Sequence, residues 1–118
     1  MRIKAIVAST YNDTENGWSY TEPALGSLVN SAIGKPVIFQ KKNIGQVESA
    51  FVKSNKAIVE AEINIDEDLL IKKLYLVPGG LTDYDTKDNK IWTCVAHQFF
   101  LTEIVSDKEL RTIETVKI

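Results

Sequence analysis

The chain has 118 residues, 44% hydrophobic and 25% charged, which is enough for one domain with one sizeable core and excludes wholesale disorder. Fourteen basic against sixteen acidic residues give a formal net charge of −2, so there is no cationic surplus for a broad phosphate-binding surface, which argues against nucleic acid. A single cysteine, Cys94, rules out an internal disulfide and has no neighbours at metal-ligand spacing.

Ile3, Ala5 and Val7 alternate within Arg2–Ala8 and predict an opening strand. The polar residues from Ser9 to Ser19, rich in turn formers, read as a connecting loop that Trp18 and Tyr20 pin to the body. A helix is expected over about 21–33. Thr21 can cap it, Glu22 suits the positive end of the dipole and Pro23 fits the first turn. Leu25, Leu28, Val29 and Ala32 recur at the spacing of one buried face, and Gly34 followed by Pro36 ends the helix.

Short strands are predicted beyond Pro36: Val37–Gln40, then a turn at Lys41–Asn43, then Ile44–Val52 with a bulge at Gly45. After a turn at Ser54–Lys56, Ala57, Val59, Ala61 and Ile63 alternate with Glu60 and Glu62, the mark of an antiparallel strand with one wet face. Asp66 can cap a second, short helix over about 67–73. Leu74–Val77 extends until Pro78–Gly80 forces a turn, and 85–90 reads as an acidic loop. Ile91–Val105 is the longest apolar run, read as one strand apolar on both faces, and Arg111–Ile118 as a last edge strand. The fold class expected is therefore β-dominated, a small, partly closed antiparallel β-barrel with one main helix, in a single domain spanning 1–118.

No catalytic or metal-binding constellation assembles. His97 is the lone histidine, and on a continuous strand it would point away from Cys94, three residues earlier. Pairing it with Glu103 on the same face would leave them ~20 Å apart at ~3.3 Å per residue. Asp83, Asp85, Asp88 and Asn89 depart from the alternate spacing of a calcium loop after Asp85 and lack its central glycine and terminal glutamate, so a solvated hairpin is the simpler reading. Gly34–Lys35 and Gly79–Gly80 are neither a phosphate loop nor a dinucleotide fingerprint. No metal and no cofactor is expected. Lys41–Lys42 and Lys72–Lys73 read as solubilising pairs. With no signal-peptide core and no apolar run of membrane-spanning length, no membrane association is expected, and the expected location is the cytoplasm.

Three segments, IVAST…GWSYTEPALGSLVNSAIGKPV, NIGQVESAFVKSNKAIVEAEI and FFLTEIVSD, occur in an order and spacing that resemble the prohead (capsid maturation) proteases of tailed phages. Together they cover most of the chain from Ile6 to Asp107. That family resembles herpesvirus-type serine proteases, with a catalytic histidine just after the Gly-Lys-Pro-Val strand and a nucleophilic serine before the last long strand. Here the first place reads FQKKN, with Gln40 or Lys41 where histidine is expected, and the second reads LVPGGL, with no serine. A carboxamide is no general base near neutral pH and glycine is no nucleophile. The resemblance thus implies the fold without the protease: a non-enzymatic head-assembly or virion protein in a host cell. Its partners would be proteins, either its own copies or other head proteins, with Trp18, Tyr84 and Trp92 as candidate aromatic anchors. The alternative is a ring-forming, Sm-like barrel, in which an N-terminal helix precedes five bent strands, with nucleic acid as its ligand.

Overall fold

The computed structural model describes residues 1–10, 19–66, 68–69, 73–80, 82–103 and 113–115, with 82–86 and 114–115 described through the backbone alone. In chain order the elements are β1 (Arg2–Ser9), β2 (Ser19–Tyr20), α1 (Glu22–Ala32), β3 (Pro36–Phe39), β4 (Lys42–Lys53) and β5 (Lys56–Ile63). They continue with β6 (Tyr75–Gly79), β7 (Thr82–Lys87), β8 (Lys90–Val95), β9 (Gln98–Thr102) and β10 (Glu114–Thr115). The expected β-dominated class is what forms: mostly strands, one helix and a seven-stranded sheet, six strands of which make a nearly closed barrel.

The larger sheet runs β10-β1-β5-β4-β3-β9-β6, and β6 returns beside β1 to almost close it. β10 is the observed part of the edge strand expected over 111–118; it pairs with Ile3 and Lys4, while Ile113 N–H reaches the Leu74 carbonyl at 2.9 Å. A second sheet runs β2-β8-β7. Two pairings are parallel, β3 with β9 and β2 with β8, so the sheets are mixed where a partly closed antiparallel barrel was expected.

Bulges bend these strands. Register slips at Val7 in β1, at Ile44 and Glu48 in β4, and at Trp92 in β8 leave each of these residues unopposed by a strand partner. An extra residue resets the two-residue alternation and sharpens local twist. That is why Val7 and Ala8 are both buried, although they are neighbours. Gly45, next to the bulge at Ile44, comes so close to the Glu62 carbonyl and the Ile63 backbone that a β-carbon has no room there.

The helix matches its sequence signals within a residue. Thr21 is the cap, its Oγ1 accepting Ala24 N–H at 3.4 Å, and Gly34 takes a φ of +81° after the last turn. Ala24, Leu25, Leu28, Val29 and Ala32 are buried, and the helix packs against β4, β5 and β8. Both sheets and the helix share one core, with Phe99, Ile3, Leu25, Leu28, Leu74 and Leu76 among its largest fully buried side chains.

Other expectations change. The apolar run from Ile91 is not one strand: it breaks at Ala96–His97 into β8 and β9, which belong to different sheets. The acidic stretch 85–90 is mostly strand, with only Asp88 and Asn89 in the turn. The turn placed at 41–43 sits at Gln40–Lys41, both with positive φ. Of the expected helix over 67–73, Asp68 and Leu69 form a 3₁₀ turn. Asp66 Oδ1 caps it by accepting Asp68 N–H at 3.1 Å; residues 67 and 70–72 lie outside the described set.

Candidate functional site

Hydrogen bonds from three hydroxyls of the helix region fix the β8 backbone. Thr21 Oγ1 donates to the Ile91 carbonyl at 2.8 Å. Ser27 Oγ accepts Cys94 N–H at 3.0 Å and Ser31 Oγ accepts Ala96 N–H at 2.9 Å. Each serine also donates to a carbonyl one turn back, Ala24 and Leu28 respectively, so both capacities of the hydroxyl are used. This fastening holds β8 with Ile91 and Cys94 turned into the core. The bulge at Trp92 separates those two inward positions by three residues instead of two, and Trp92 itself faces out, 38% exposed. β8 is the middle strand of its sheet, so Trp92 stands near the centre of that outer face.

The other two candidate anchors are less informative. Trp18 lies outside the described residues, and Tyr84 is placed only as a position on β7, with nothing described of its side chain. Trp92 and Phe100, both within the run read as one strand, stand on separate sheets.

Phe100 belongs to a different outward surface. Its register partners are Ile38 on β3 and Val77 on β6, which makes a three-strand apolar row on the outside of the barrel, with Phe100 37% exposed at its centre. Sequence reading missed this row because Ile38 and Val77 sit in unrelated segments. The adjacent pair Phe99–Phe100 was the available signal, since neighbours on a strand face opposite ways and one of two phenylalanines must turn outward.

The two places that would carry protease chemistry do not meet. Val37 is level with Phe99, and Phe99 with Pro78, but β3 and β6 run in opposite directions. Lys41 therefore lies roughly 15 Å from Pro78, counting ~3.3 Å per residue and ~4.8 Å per strand. A histidine and a serine introduced at these positions would stay apart. Cys94 and His97 form no dyad either. Cys94 is fully buried, and burial pushes its thiol from 9.0 up to about 11, partly offset by the hydrogen bond with Ser27. His97 is exposed, in the link between β8 and β9, where its N–H approaches the Gly79 carbonyl at 3.4 Å.

An open depression of about 780 Å³ lies beside the start of β4, lined by Pro36, Ile44, Gln46, Glu48, Glu62 and Asn64 among others. Its lining includes two carboxylates but no histidine, cysteine or serine, and Glu62 Oε1 accepts from the Met1 ammonium at 2.6 Å. Among the described residues, no three His, Cys, Asp or Glu side chains gather where they could hold a metal ion, and no helix is long and apolar enough to cross a membrane. Of the acidic cluster at 83–89, Asp88 and Asn89 are exposed in the β7–β8 turn, while the side chains of Asp83 and Asp85 are outside the described set.

Compared with known proteins, the chain matches no family model, no curated protein and no solved structure.

Proposed function

We propose that this is a non-enzymatic relative of the tailed-phage prohead proteases, working by protein–protein contact in head assembly or as a virion component. The observation that carries the contact role is Trp92, a large aromatic side chain turned outward by a bulge on a strand fastened from behind by Ser27 and Ser31. A rigid, partly exposed tryptophan is the kind of residue that dominates binding energy at interfaces. The distance between Lys41 and Pro78, and the lack of a histidine in FQKKN and of a serine in LVPGGL, favour binding over serine-protease catalysis. The phage setting rests on the three resembling segments, and the partners it implies are further copies of the chain or other head proteins.

The test is co-expression with the major capsid protein encoded nearest its own gene, followed by gradient separation of assembled shells. The protein should travel with the shells, and Trp92→Ala, with its circular dichroism unchanged, should leave it at the top of the gradient. Wild-type protein that never co-sediments, or a neighbourhood without head genes, overturns the reading. Cleavage of the capsid protein that His97→Ala abolishes would overturn its non-enzymatic part. A ring-forming, Sm-like module has less support, because β1 precedes α1 and is itself a barrel stave. A pentamer to heptamer by light scattering, with a salt-dependent RNA shift, would revive it.

A further inference from the structure

We draw no further inference here: the strongest candidate, the outward apolar row of Ile38, Phe100 and Val77 across β3, β9 and β6, is an unpartnered sheet face, and nothing in the structure shows what covers it.

Discussion

The Phe100 ring fills the space that a side chain on Gly79 would need, reaching diagonally across the β6–β9 pair beyond its own register partner Val77. Gly79 is buried for that reason, although it points to the outside of the barrel. An aromatic laid over a cross-strand glycine recovers packing that the missing side chain forfeits.

Gly79→Ala should therefore cost about 1–3 kcal/mol, the usual range for overpacking. Phe100→Ala placed on top of it should relieve most of the strain, because the obstacle is a side chain. Gly45→Ala should be worse and find no such rescue, because there the obstacle is the Glu62–Ile63 backbone. Urea denaturation of the singles and the double gives the coupling directly, and additive costs for Gly79 and Phe100 would contradict the contact.

Ser27→Ala and Ser31→Ala each strand a partly buried amide, that of Cys94 or of Ala96, and should cost about 1–2 kcal/mol apiece. A conservative Ser→Thr change at either place keeps the acceptor and should cost less if the extra methyl fits. Hydrogen exchange at the Cys94 and Ala96 amides is the specific readout, since the gain in helix propensity on Ser→Ala would not speed it.

Gln40 and Lys41 hold φ values of 49° and 66° at the tip of the β3–β4 hairpin, a geometry that asparagine and glycine adopt at much lower cost. Replacing the pair with Asn-Gly should stabilise the protein by about 1 kcal/mol. A raised melting temperature checks this, and Lys41→Val, β-branched in a left-handed position, should lower it.

The buried Cys94 thiol makes stability pH-dependent on the alkaline side. Its folded value of about 11 lies above the ordinary 9.0, so between these pH values the unfolded chain loses the proton while the folded one keeps it. The unfolded state then binds fewer protons, and stability falls as pH rises from 9 to 11. The urea midpoint of wild type should decline across that window more steeply than that of Cys94→Ala. A disulfide-exchange reagent at pH 8 should label Cys94 only through opening of the fold, because the folded thiol is fully buried and kept protonated.

Much of this architecture was legible in the chain. The helix was readable from Thr21, Pro23, the Leu25–Leu28–Val29–Ala32 spacing and Gly34, because capping and one-sided burial act within a few residues. The alternation of Ala57 to Ile63 was readable for the same reason. Of the three left-handed pairs without glycine, Ser54–Asn55 and Asp88–Asn89 carry turn-forming residues, whereas nothing in Gln40–Lys41 announces such a pair as Asn-Gly would.

The sequence by itself determined a β-rich, barrel-like fold with one capped helix. Tertiary structure alone decided that the apolar run from Ile91 divides at Ala96–His97 between two sheets, and that Trp92 and Phe100 part company. It also decided that Lys41, in the turn after β3, and Pro78, on β6, stay apart with β9 between their strands. These outcomes depend on pairings between segments tens of residues apart and on bulges that shift the alternation by one. Local propensity and period carry no record of either, because a strand's direction and register are set by the partner it finds.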